Sequence, residues 1–399
     1  MAKLVFFLNI LALSPLSQIF GDSSGLFIRI IQVVTFVFSI QYMNSERTVN
    51  SINSKLITIL VLFFILIFIS EIFHEPKDFV ALFRHFTHVL YIIGLLFLSK
   101  HIHRDFLKKC LIFLVVVYLA EVLYYMFFGG IGNLGSFTGL NKLYEFKSFK
   151  YELLNAGYAL QSFHIIPFVS FWLLPYIKNK RKQILLLMGI FGIMLVSFTF
   201  TALISFFIAA LFYVIWTYNK KLYNSSFLFY LLLGGGFVIF FLISFFPMEM
   251  FQITTGRATL WEQSAKMIME NPLWGCSNEN FYSSIDSYLL SGSFTKYVDY
   301  DYIGGMFNFT SGSCHNNYLG IIMNYGIPLG IIFFLLIFTL WNTAVNKTRN
   351  MIYLLPFLYL LIRGFGEFGG IIGNANANLD FLFDIYIISL ISIIDIRNE

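Results

Sequence analysis

Of the 399 residues, 58% are hydrophobic and 20% aromatic, only 12% are charged, and the mean hydropathy is +0.77. This usage excludes a soluble globular domain and points to an all-α polytopic membrane protein. The net charge of +5 does not call for a nucleic-acid partner, because Lys and Arg flanking membrane spans produce the same excess.

A helix needs about 20 mostly apolar residues to cross the hydrocarbon core, with about 17 tolerated. In chain order, twelve runs approach that requirement: 4–20, 26–43, 56–73, 79–99, 110–128, 156–177, 184–198, 201–218, 227–246, 318–341, 351–368 and 379–395. The first follows Met-Ala-Lys as a signal peptide would, but no small-x-small cleavage site follows it, so it reads as a span. The seventh and eighth are nearly continuous and form either one long helix or two short ones meeting at SFTFT.

With a cytoplasmic N-terminus, the basic clusters Lys100 to Lys109, Lys178 to Lys182, Lys220 and Lys221, and Lys347 with Arg349 all fall on the cytoplasmic side. Fewer basic residues, among them Lys142, Lys147, Lys150, Arg257, Lys266 and Lys296, fall on the longer segments opposite. The positive-inside rule therefore places both termini in the cytoplasm. Two extracytoplasmic loops result, 129–155 and the larger 247–317. Neither has the length or apolar content of an independent domain, so residues 1–399 read as one transmembrane domain carrying external loops.

The cytosolic segments are short and basic and hold no phosphate-binding loop, so chemistry is expected at the outer face. There, Thr255 to Gly275, TGRATLWEQSAKMIMENPLWG, predicts an amphipathic helix capped by Thr254 or Thr255 and stopped before Pro272. Ala258, Trp261, Ala265 and Ile268 line its docking face, and Glu262 and Lys266 form an i,i+4 pair. Arg257 sits where the helix dipole is already positive. Such a placement suits an anion chelated by guanidinium and free N–H groups; pairing with Asp286, Asp299 or Asp301 is the alternative.

Further on, SGSCHNNYLG lets Ser311 or Ser313 cap the tenth span and places His315 in its first turn. A histidine there is either a base that titrates near neutrality or an interfacial anchor. NYGIPLG, with Gly326, Pro328 and Gly330, predicts a bend just below. Charges inside spans are costly and usually functional. Arg363 and Glu367 lie near the end of the eleventh span, whereas Arg29, Arg84, Glu121 and Asp384 are open to pairing among themselves. Cys110, Cys276 and Cys314 give neither a disulfide framework nor a zinc-ligand pattern. Cys276 and Cys314 are either an oxidised pair or, preferably, free buried thiols.

Taken in order, TGRATLWEQSAKMIMENPLWG and HNNYLGIIMNYGIPLG resemble the O-antigen polymerase and O-antigen ligase superfamily over about residues 255–330, with the remaining spans matching only as a hydropathy pattern. The resemblance implies a glycosyltransferase of the bacterial inner membrane that takes a polyprenyl-diphosphate-linked oligosaccharide as donor and uses no metal, nucleotide or other cofactor. Membrane lipid and a chain-length regulator protein are its implied partners.

Carried over by position, Arg257 holds the diphosphate and His315 serves the acceptor hydroxyl. Arg363 matches an arginine of a late span, and Trp261, Asn316 and Glu367 complete the expected substrate-binding set. The family often carries a second arginine where SFTFTA, 197–202, has Phe200; Arg363, Arg84 or Lys150 is then expected to supply that charge.

The preferred reading is a polymerase of O-antigen or capsule polysaccharide. Its alternatives are a ligase that transfers finished glycan to a lipid core, and a flippase. A flippase would show two related halves with broken helices at matching positions, and the sequence contains neither. A scaffold without chemistry is the remaining alternative.

Overall fold

In lipid, each run must satisfy its own backbone hydrogen bonds, which an apolar segment does by coiling into a helix. The computed structural model describes residues 1–17, 24–42, 54–74, 79–125, 159–197, 200–218, 234–235, 257–276, 314–348, 350–367, 369–371 and 378–392. Regular structure among them is helical throughout: α1 (Ala2–Ala12), α2 (Ser24–Ser39), α3 (Ser54–Phe73), α4 (Phe79–Ser99), α5 (Arg104–Tyr125), α6 (Ala159–Leu173), α7 (Lys180–Ser197), α8 (Phe200–Tyr218), α9 (Arg257–Glu270), α10 (Asn317–Thr348), α11 (Leu355–Arg363) and α12 (Asn378–Ser392). This is the architecture of a polytopic helical membrane protein.

α9 is the amphipathic helix, and the other helices fall on eleven of the twelve apolar runs. The ninth run, 227–246, lies outside the described residues apart from Gly234 and Gly235. The seventh and eighth runs form two helices, α7 and α8, rather than one. Among the described residues, four segments are long and apolar enough to span a membrane by themselves: Gly25–Tyr42, Lys55–Phe73, Phe79–Ser99 and Asn317–Thr348. α1, α6 and α8 are apolar over shorter stretches.

The core is centred on α11, whose apolar residues from Leu355 to Leu361 are buried on every side. It packs against α6 and α8, where Phe171 stacks on Phe206 at 4.9 Å and meets the Tyr359 ring at 6.1 Å. α2 lies along α4, α5 along α6, and α3 along α10.

At one end of the bundle, Arg104 donates to Tyr353 Oη at 3.0 Å and lies 5.3 Å over the Tyr176 ring. Lys347 donates to the Ile391 carbonyl beside it. The opposite end carries α9, the start of α10 and the end of α11.

Three of the intramembrane charges have contacts of other types. Asp384 meets His88 Nε2 at 2.6 Å, Glu121 accepts from Ser162 Oγ, and Arg29 lies 5.4 Å over the Phe381 ring. Each of these three contacts joins one of the four charges that were open to mutual pairing, Arg29, Arg84, Glu121 and Asp384, to a residue outside that set. A histidine, a hydroxyl or an aromatic face on the neighbouring helix can meet a charge within a span.

Candidate functional site

α9 forms because Ala, Leu, Glu, Gln, Lys and Met are strong helix formers. Glu262 and Lys266 pair at 3.2 Å on its exposed face. Its buried stripe is Leu260, Trp261, Ser264, Met267 and Ile268, which lies against α10. Each large apolar side chain covered in this way contributes about 1.5–3 kcal/mol. Ala265, expected in the docking stripe, is exposed, because the true stripe is rotated towards Leu260 and Ser264. Arg257 opens the helix; its side chain, together with the caps Thr254 and Thr255, lies outside the described residues.

The segment after α9 is built into the break in α10. Gly326 takes φ 87 and ψ 169, a backbone region that only glycine adopts without strain. A Cβ there would fall 2.2 Å from the Leu273 carbonyl oxygen. The broken ladder is satisfied from outside: Ile327 N donates to the Pro272 carbonyl at 2.8 Å, and Cys276 N donates to the Met323 carbonyl at 2.8 Å. The expected bend at NYGIPLG is present, and it is the seat of the 271–276 segment.

The start of α10 differs from expectation. Asn316 caps it, with Oδ1 accepting from Tyr318 N and Leu319 N, each at 3.0 Å; Ser311 and Ser313 lie outside the described residues. His315 therefore sits just ahead of the cap, not in the first turn, with φ 48. A positive φ at a residue other than glycine is uncommon and clusters at functional sites. Asn316 Nδ2 also donates to the Phe365 carbonyl at 3.0 Å, and Asn317 N to the Gly364 carbonyl at 2.7 Å. Two hydrogen bonds thus join the head of α10 to the turn after α11.

This junction brings four of the sequence-selected residues together. His315 Nδ1 lies 3.2 Å from Glu367 Oε2, with the histidine side chain 30% and the glutamate 14% exposed. Asn316 fixes the backbone beside them. Arg363 is buried in the same knot, donating through Nη1 to the Gly369 carbonyl at 2.7 Å and through Nε to His164 Nδ1 at 3.1 Å. Trp261 stands apart from this knot, buried in the docked face of α9.

The sequence reading passed over His164 of α6. Its Nδ1 accepts from Arg363, so its hydrogen is on Nε2, which lies 3.9 Å from Glu367 Oε1. That separation is a charge–dipole contact longer than a hydrogen bond. The His164 carbonyl accepts from Tyr359 Oη at 3.0 Å, one turn before Pro167 in α6. The available signal was an ionisable residue in an apolar run.

Glu367 holds the His315 tautomer with hydrogen on Nδ1, which leaves Nε2 as the basic nitrogen of the neutral ring. A carboxylate–histidine pair of this kind can accept a proton from a hydroxyl and stabilise the imidazolium that forms. Cys314, beside it, is a poor nucleophile. Burial pushes its thiol up to about 11 despite hydrogen bonds to Asn316 and Ser264, and burial with Glu270 nearby pushes Cys276 up to about 12. Both cysteines are free.

The fold and this site together define a polytopic helical membrane protein with a histidine–carboxylate pair at one end of its bundle. In a comparison with protein families, residues 184–334 match the family described as O-antigen ligase. The matched stretch runs from the start of α7 to the middle of α10 and is consistent with the O-antigen polymerase and ligase superfamily. The match supports a polysaccharide polymerase- or ligase-type function and a glycosyltransferase-like enzyme. It includes Arg257, Trp261, His315 and Asn316, whereas His164, Arg363 and Glu367 lie outside it. A comparison with curated proteins found no match to the chain.

Proposed function

We propose that this protein is a polysaccharide polymerase that transfers glycan from a polyprenyl-diphosphate carrier to a sugar hydroxyl of another lipid-linked repeat unit, at the outer face of the bacterial cytoplasmic membrane. The observation that carries the reading is the His315–Glu367 pair at the head of α10, beside a segment of O-antigen ligase type. His315 Nε2 takes the proton of the attacking hydroxyl. The sugar oxygen bonds to the anomeric carbon as its bond to the diphosphate breaks, and the lipid diphosphate departs with the electron pair.

Arg257, at the head of α9, meets the developing negative charge of that leaving group, where a fixed cation lowers the barrier most. Buried Arg363 acts one step back: it orients His164, which faces the Glu367 carboxylate. In this orientation the basic connections at the far end of the bundle face the cytoplasm.

A second reading, the ligase, is favoured by the description of the matched family. One experiment separates the two. The full-length protein in liposomes is given its lipid-diphosphate-linked repeat unit alone, and products are resolved by size. A polymerase yields a ladder of regularly spaced oligomers, lost in Arg257→Ala and in His315→Ala. A ligase yields product only after a separate acceptor lipid is added. Absence of product in both settings with folded protein overturns the transferase reading.

A further inference from the structure

A second group of ionisable side chains sits at the same end of the bundle, away from His315 and unused by the chemistry above. In the last turn of α3, Glu71 is buried with its carboxylate 3.3 Å from His74 Nδ1 and 3.5 Å from His85 Nε2 of α4. His74 Nε2 lies 3.1 Å from the Trp274 carbonyl, and Ser70 Oγ donates to the same oxygen at 2.5 Å. His85 Nε2 also meets Tyr325 Oη of α10 at 3.1 Å. The Trp274 indole stacks on Phe73 at 4.9 Å.

Trp274 lies in the segment that continues α9, and Tyr325 immediately precedes the glycine at which α10 breaks. The cluster therefore grips both partners of the Pro272–Ile327 and Met323–Cys276 junction from the α3 and α4 side. Between Asn317 and Tyr325, the first part of α10 is held at its head by the His315–Glu367 knot and at its foot by this cluster.

We propose that Glu71, His74 and His85 are positioning residues of the transfer site: they lock the 271–276 segment onto the α10 break and so hold α9, with Arg257 at its head, in register with His315. The proposal rests on the transferase reading for its activity arm only. His74 is the pH-sensitive member. Its Nδ1 faces the Glu71 carboxylate and its Nε2 the Trp274 carbonyl, both acceptors only, so both contacts are hydrogen bonds when the ring is doubly protonated; Ser70 Oγ, 3.1 Å from Nε2, gives its own hydrogen to the same carbonyl. Burial opposes that charge, but the Glu71 hydrogen bond and charge outweigh it, and with the backbone carbonyls of Trp274 and Asn324 they raise the His74 pKa above the ordinary histidine value. The ionisable groups facing His74 are Glu71 of α3, His85 of α4 and Tyr325 of α10, and beyond His85 lie His88 of α4 and Arg29 of α2.

A histidine whose folded pKa is raised contributes stability that is complete below the unfolded value of about 6.5 and is lost as pH rises through the folded value. The lock accordingly weakens on the alkaline side.

The test measures amide hydrogen exchange in peptides covering 257–276 in the full-length protein in liposomes, corrected for the intrinsic pH dependence of exchange, from about pH 6 to about pH 9. Wild-type protein is expected to open progressively as pH rises. His74→Gln is expected to exchange roughly tenfold or more faster at the acid end, as loss of a charge-assisted hydrogen bond implies, with little further response to pH. Glycan transfer from the lipid-diphosphate donor should fall along the same pH limb in wild type, and that limb should be absent in His74→Gln.

His315→Ala should abolish transfer without altering exchange in 257–276. Exchange in wild type that ignores pH, or faster exchange with an unchanged pH profile of transfer, overturns the proposal. The wild-type titration decides even if the variant does not fold. If wild type forms no product with or without acceptor lipid, the transferase reading fails, while the exchange arm still decides whether the lock exists.

Discussion

Glu367 Oε2 stands 3.2 Å from His315 Nδ1, although the two residues are 52 positions apart and belong to different helix ends. The contact converts a histidine of uncertain role into one with a defined tautomer, because an ionised carboxylate accepts only from an N–H.

Replacing that carboxylate tests the consequence. Glu367→Gln is expected to lower the rate of glycan transfer at saturating donor by about 10²-fold, and His315→Ala by about 10²–10⁴-fold, the range general-base catalysis supplies. Product formed per minute by protein of normal abundance is the measurement. Wild-type rates in Glu367→Gln would remove the carboxylate from the chemistry.

Gly326→Ala should destabilise the protein strongly. The backbone strain alone costs about 1–3 kcal/mol, and the added methyl would overlap the Leu273 carbonyl at 2.2 Å. Gly189→Ala in α7, where nothing lies within 4 Å of the added atom, should instead be neutral or raise stability by up to about 1 kcal/mol, the helix-propensity difference. Thermal midpoints of the two variants in detergent make the comparison.

The docked face of α9 can be tested by local opening. Trp261→Ala removes a buried ring and should cost about 3–5 kcal/mol, enough to free the helix from α10 and expose it to protease in otherwise folded protein. Lys266→Ala removes one partner of an exposed pair and should leave cleavage unchanged, since such pairs contribute about 0.3–0.5 kcal/mol.

The thiols give a pH-based check. With Cys276 pushed up to about 12 and Cys314 up to about 11, both are protonated at neutral pH. A thiol rather than a thiolate is a weak nucleophile, so neither is expected to react with maleimide in folded protein at pH 7, and both should react after denaturation. Mass spectrometry of the labelled protein reads the outcome, and Cys314→Ser should retain glycan transfer.

Much of the helical layout was legible in the order of residues. The fourth apolar run, 79–99, coincides with α4, and the stop at Pro272 ends α9 within a residue of where it was expected. These features are local: a lipid-embedded backbone must satisfy itself within its own segment, and proline constrains the residue before it. Arg363 and Glu367 were also locally visible as charges in a costly place, and His315 and Asn316 through the HNNYLG motif that carries the resemblance.

The pairings were not legible, because they join distant segments. Arg363 and His164 are 199 positions apart, and His74 and Trp274 are 200. Hydropathy offers little help in choosing neighbours when a helix is apolar all round. In α3, Phe63, Phe64 and Ile67 are buried while Val61, Leu62 and Ile65 are exposed, yet all six are equally apolar. Lipid tails and protein interior solvate such side chains almost alike, so composition fixes that the segment is a helix in a membrane. Which face meets α10, and hence which histidine meets which carboxylate, is set by the packing of side-chain shapes and by the few hydrogen bonds that cross between helices.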